Sequence, residues 1–135
     1  MEYPSEELEE YLKQLDLYLA NLEKLGALLL CLGYSLYIKS AQVDILEIIN
    51  EDFEPPESPR QILVNGQQHI LLGYIVLYVV AVKRLNEKIL INSFAEEPVS
   101  LIPYKHVIES YLISVFANYQ RLRAFQELTG EEVIV

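Results

Sequence analysis

The sequence predicts an all-α protein: an antiparallel helical bundle of three long helices, the first bent so that four segments pack. Three observations carry this. Leucines recur by fours and threes from Leu8 onward, the period of one helical face. Two long runs, Leu25–Ile38 and Ile70–Val82, carry no charge and no proline. The prolines collect in two places, Glu51–Pro59 and Ser93–Pro103, where they interrupt helix and supply the connections. At 135 residues the chain fits one domain able to bury a core without disulfides or metals. The domain reading is therefore a single bundle over 1–135, with a Pro-rich connection at 51–60 and a short flexible tail at 130–135.

The first helix starts after Ser5. Its hydroxyl is placed to cap the first free amides, and Glu6 and Glu7 suit the positive end of the helix. Tyr3 and Pro4 are expected to pack back on the first turns. Leu8, Leu12, Leu15, Leu19 and Leu22 form the seam. The same register continues through Gly26, Leu29, Gly33, Leu36, Ser40 and Val43. Gly26, Gly33 and Ser40 are spaced by seven, and small residues at that interval let another backbone approach closely. Glycine inside a helix costs about 1 kcal/mol against alanine, which a close helix crossing offsets. Helix is expected to end near Asn50. A straight rod from Ser5 to Asn50 would be about 69 Å long, so a bend is expected near Asn21–Gly26 or Lys39–Val43. In a compact monomer the seam would meet the last helix, and in a homodimer its twin or the neighbouring bundle.

The connection EDFEPPESP follows. Gln61–Val64 suits a short extended piece, and Asn65-Gly66 reads as a turn or a helix start. The second helix then runs through Ile70–Val82 to about Asn92. Apolar residues occupy every side of that run, so it is expected to be enclosed by other helices, with lipid as the alternative. The triplet Leu32-Gly33-Tyr34 recurs as Leu72-Gly73-Tyr74, which suggests two helices crossing at Gly33 and Gly73. Ser100 and Pro103 suit the start of the third helix, and Thr129-Gly130 its end. Val107, Tyr111, Ser114 or Val115, Asn118, Leu122 and Phe125 trace one face of that helix, and Ile108, Leu112, Val115, Tyr119 and Leu122 trace its neighbour. The tail EEVIV is expected to pack on the body.

Composition narrows function more than it defines it. Twenty acidic residues against ten basic ones give a net charge of −10, which disfavours nucleic acid and anionic membrane surfaces alike. Cys31 is the single cysteine, so no internal disulfide or thiolate metal cluster forms. It reads as a small buried hydrophobe. The acidic start does not resemble a secretory signal, and a cytoplasmic location is expected. His106 and Glu109 share a helical face, but a carboxylate-bridged metal site needs two Glu-x-x-His pairs. No nucleophile elbow, phosphate loop or dinucleotide turn is present. No catalytic, cofactor or metal residues are assigned.

The expectation is a non-enzymatic interaction or assembly module with a protein partner, itself or another. A membrane-associated accessory protein is the alternative, and a bundle with an apolar pocket near Gly33 and Gly73 is the third reading. The uncharged runs are shorter than the roughly 20 residues a bilayer core requires. Candidate crossing or interface residues are Leu8, Leu12, Leu15, Leu19, Leu22, Gly26, Gly33 and Gly73. The tyrosine pairs Tyr11/Tyr18 and Tyr104/Tyr111, each spaced by seven, join them because tyrosine is enriched at interfaces.

Overall fold

The computed structural model describes residues 5–130. They form three α-helices and no strand: α1 (Glu6–Ile49), α2 (Pro59–Asn92) and α3 (Ile102–Thr129). The expectations for Tyr3, Pro4 and the EEVIV tail fall outside the described residues.

Each helix begins and ends for a local reason. Ser5 Oγ accepts the amide of Leu8 at 3.2 Å, and Glu6, Glu7 and Glu9 lie in the first turn of α1. Ser58 Oγ accepts the amide of Gln61 at 3.1 Å, with Pro59 in the first turn of α2. The first turn of α3 has no side-chain cap on its N-cap residue Leu101, but Ser100 Oγ accepts the amide of Ile102 at 3.3 Å. Gly130 ends α3 at φ 78°, a left-handed conformation that glycine adopts without penalty. The second connection is braced by Asn92, which exchanges two hydrogen bonds with the backbone of Val99 at 2.9 and 3.1 Å.

Two expectations about the helices change. α1 is one uninterrupted helix of 44 residues, about 66 Å long, so three rods pack rather than four segments. Gly26 introduces no break because α2 lies against it. Asn65-Gly66 is neither a turn nor a helix start. Ser58 and Pro59 nucleate α2 six residues earlier, and Gly66 lies inside the helix.

α2 is the central element. α1 and α3 each pack along it, and they make no backbone-level approach to one another. The seam of α1 therefore meets α2, not the last helix. Leu19 is buried, and Leu8, Leu12, Leu15 and Leu22 are half-buried. Antiparallel order is fixed by matched pairs: Gly26 beside Gly73, Gly33 beside Gly66, and Ser40 donating from its hydroxyl to the Pro59 carbonyl at 2.6 Å. The core is small, with Leu19, Ile62, Val64, Ile70, Leu77 and Val80 its main apolar members.

With only two helices packed on it, α2 is not enclosed. Leu72, Ile75 and Val79 are exposed, which corrects the expectation for the uncharged run. Cys31 is exposed too. It lies two residues before Gly33, on the side of α1 turned away from α2, so the buried reading fails.

Candidate functional site

The helix crossing is built on glycine. A Cβ placed on Gly33 would lie 2.6 Å from the Gly66 carbonyl oxygen and would collide with the Ile70 side chain. One on Gly66 would lie 2.8 Å from the Gly33 carbonyl, and one on Gly73 2.9 Å from the Gly26 carbonyl. The close approach is reciprocal over two turns of each helix. Gly33 thus faces Gly66, and Gly73 faces Gly26; the two Leu-Gly-Tyr triplets do not cross at their own glycines. Backbones this close leave no room for a ligand at these glycines, which removes the pocket reading there.

Next to the crossing, a polar chain joins all three helices. Gln67 is fully buried. Its Nε2 donates to the Asn118 carbonyl at 2.9 Å and to Asn118 Oδ1 at 3.0 Å. Its Oε1 accepts from the Tyr37 hydroxyl. Asn118 Nδ2 donates to the Ser114 carbonyl at 2.8 Å, and Arg121 donates to Asn118 Oδ1 at 3.3 Å. A satisfied buried network penalises any register that breaks it. Burial pushes the Tyr37 phenol above its ordinary pKa, and the Arg121 charge opposes the shift. Tyr74 is raised as well, by burial first and then by its hydrogen bond with Tyr34. Both phenols are thus held neutral as hydrogen-bonding groups.

The remaining tyrosines divide. Tyr111 lies beside Tyr74, ring centroids 6.4 Å apart, and Lys88 sits 5.9 Å over the Tyr104 ring; this pair faces α2. Tyr11 and Tyr18 are exposed. His69 is turned to the Asn65 carbonyl at 2.7 Å, one turn back on its own helix, and His106 and Glu109 are exposed. Among the described residues, no three His, Cys, Asp or Glu side chains converge as metal ligands.

Comparison with known proteins gives no matching family, no matching curated protein and no matching solved structure. The chain is a helical bundle without obvious catalytic features among the described residues.

What the bundle does present is apolar surface. Among the described residues, 22 large hydrophobic side chains are exposed and 8 hydrophobic residues are buried. Two exposed rows run side by side. Tyr11, Tyr18, Leu25 and Leu32 follow one another by seven on α1 and are each about half exposed. Leu72, Val79 and Asn86 do so on α2, and Tyr11 and Asn86 line one shallow groove together. The antiparallel pairing then sets Leu25 and Leu32 along Val79 and Leu72.

Sequence reasoning missed Gly66, Gln67 and Glu87 as organising residues, and it placed Asn118 on a helix face without assigning it a polar partner. Gly66 had a readable signal, since Gly66 and Gly73 repeat the seven-residue spacing of Gly26 and Gly33.

Proposed function

We propose that this protein is a non-enzymatic assembly module that associates with a second copy of itself. The observation that carries the reading is the uncharged two-helix face made by Tyr18, Leu25 and Leu32 of α1 with Leu72 and Val79 of α2. The chain exposes 9289 Å², whereas a compact monomer of 15.6 kDa exposes about 7,200 Å². Part of the surplus of about 2,000 Å² is the length of the rods, and part is apolar side chain left on the outside. One partner's share of a standard interface is about 800 Å², well inside that surplus. Contiguous apolar patches on monomers seldom exceed a few hundred Å².

A second copy suits this face better than a charged partner does. The rows are apolar in their middle and self-complementary under a two-fold axis, the commonest symmetry of homo-oligomers. A net charge of −10 per chain opposes self-association at long range, and salt screens that repulsion. Dimerisation therefore strengthens as salt rises. Sedimentation velocity of the parent and of Leu32→Glu tests the reading: the parent sediments as a dimer and the variant as a monomer of unchanged helix content. A variant that sediments like the parent overturns it.

A second reading has its own observation. α2 contains an eighteen-residue stretch long and apolar enough to cross a membrane, and only 28% of that stretch is buried. Lipid in place of a second copy would cover it equally. Recovery of the protein only with membranes supports this reading; full recovery without detergent counts against it.

A further inference from the structure

Glu87 is the one charged member of the row Pro59, Gly66, Gly73, Val80 and Glu87, which faces α1 along its length. Its side chain is 4% exposed, and its Oε2 has no hydrogen-bond partner. Two of the nearby cations are engaged elsewhere. Arg84 binds Glu23 at 2.8 Å and approaches Asp16 at 3.8 Å, and Lys88 lies over Tyr104. Glu87 lies between two grooves: it lines one of about 580 Å³ on one flank of α1 and also the smaller one shared with Tyr11 and Asn86 on the other. Leu12, Leu17, Ala20 and Ile91 give the larger groove apolar walls. Glu9 and Asp16 add carboxylates, and Lys13 stands on the same lining.

We propose that this groove is a binding site for an alkylammonium group, with Glu87 as its anchor. Three features select that chemistry. An ammonium group carries three donors, enough for the free Glu87 oxygen and the Asp16 carboxylate together. An aliphatic stem covers the apolar walls, as lysine stems do on apolar surface. A hard metal cation instead takes six or more oxygen ligands, which walls of leucine, alanine and isoleucine do not provide. The ammonium comes from a lysine side chain of a partner or from a free aliphatic amine. The site is separate from the self-association face and stands independently of it.

Burial, and then the neighbouring Asp16, raise the Glu87 pKa above the ordinary carboxylate value. An ammonium favours the ionised form, so binding releases whatever proton Glu87 carries. Affinity rises with pH until Glu87 is ionised in the free protein. The charged and titratable groups around Glu87 are Glu9, Tyr11, Lys13 and Asp16 from α1 with Lys83, Arg84 and Lys88 from α2. α3 contributes none to either groove.

The test is calorimetric titration of the full chain with n-butylamine and, separately, with Nα-acetyl-lysine methylamide. Tetramethylammonium, which has no N–H donor, and sodium chloride of equal ionic strength are the controls. The expected result is saturable binding of both probes, with proton release seen as a buffer-dependent heat. Glu87→Gln weakens it at least tenfold, Ala20→Phe blocks the groove from an exposed position, and Glu109→Gln on α3, away from the groove, changes nothing. Tighter binding of the lysine amide assigns the site to a protein partner; tighter binding of butylamine assigns it to a free amine. Equal binding of tetramethylammonium overturns the proposal. So does undiminished binding by Glu87→Gln or by a folded Ala20→Phe.

Discussion

Replacing Gly33 with alanine adds one methyl group and tests the closest point of the helix crossing. In an isolated helix the change would stabilise by about 1 kcal/mol. Here the new Cβ would lie 2.6 Å from the Gly66 carbonyl oxygen, and ordinary contact begins at 3.4 Å. The two backbones must therefore part by most of an ångström, and the Ile70 side chain must move as well. Carbonyl oxygens of a hydrogen-bonded helix cannot rotate away as a leucine tip does. Overpacking of this kind costs about 1–3 kcal/mol, and the backbone collision puts Gly33→Ala at the upper end. After the propensity gain the net loss is about 2 kcal/mol. For a chain of this size that lowers the melting temperature by about 6–8 °C, read by circular dichroism at 222 nm. Gly26→Ala is the internal control. Its Cβ would meet Leu77 Cγ and Cδ2 at 2.9 and 3.0 Å and the Gly73 carbonyl oxygen at 3.2 Å, a looser backbone approach than at Gly33, so its melting temperature falls by less than that of Gly33→Ala. Equal behaviour of the two variants, or a stabilised Gly33→Ala, would refute the reasoning.

Other outcomes follow from the same geometry. Gln67→Leu strands the Tyr37 hydroxyl and removes the donor to the Asn118 carbonyl and Oδ1, and urea denaturation should show a loss of about 1–3 kcal/mol; an unchanged midpoint would mean the network contributes nothing. Glu87 has a raised pKa, from burial first and then from Asp16. The folded state therefore binds its proton more tightly than the unfolded state does. This group's contribution favours folding at low pH and is lost as pH rises from the ordinary carboxylate range through the raised value. Glu87→Gln should flatten that part of the stability–pH profile, and a profile identical to the parent's would exclude the buried-acid account. Leu25→Glu should shift the association equilibrium toward monomer by at least tenfold while Leu28→Glu, on a neighbouring outward position, shifts it less; the reverse order would place the contact on another face.

The sequence was informative where one residue decides a local outcome. Ser5 caps α1, Pro59 sits in the first turn of α2, and Gly130 ends α3 in a left-handed conformation. The leucine seam and the small residues at 26, 33 and 40 mark the packed face of α1 correctly, because a helix has only one way to align a seven-residue spacing. Which helix meets that face is a tertiary matter. A compact monomer was expected to set the last helix against it, yet the reciprocal glycines of α2 offer a closer approach than α3 does. The Asn65-Gly66 pair misled because the dipeptide favours a turn in isolation, while the capped start at Ser58 and the contact with Gly33 hold it helical. Gln67 and Asn118 look like ordinary amides until three helices converge on them. Glu87 looks like a solvated acid near a basic helix end, and only its place beneath α1 buries it. Cys31 and Leu72 were misjudged for one shared reason. An all-apolar helix implies a cover on every side, and three rods in which α1 and α3 each pack along α2 and meet each other through side chains such as Tyr37 and Phe125 leave part of it bare.

That bare surface is the centre of the functional account, and molar mass in solution addresses it most directly. Light scattering coupled to size exclusion, on full-length protein prepared without detergent and run at two salt concentrations, reads it in one experiment. The account predicts a monodisperse species of twice 15.6 kDa, with the dimer fraction higher at high salt. A stable monomer at both salt concentrations, or protein recovered only with membranes, would contradict it.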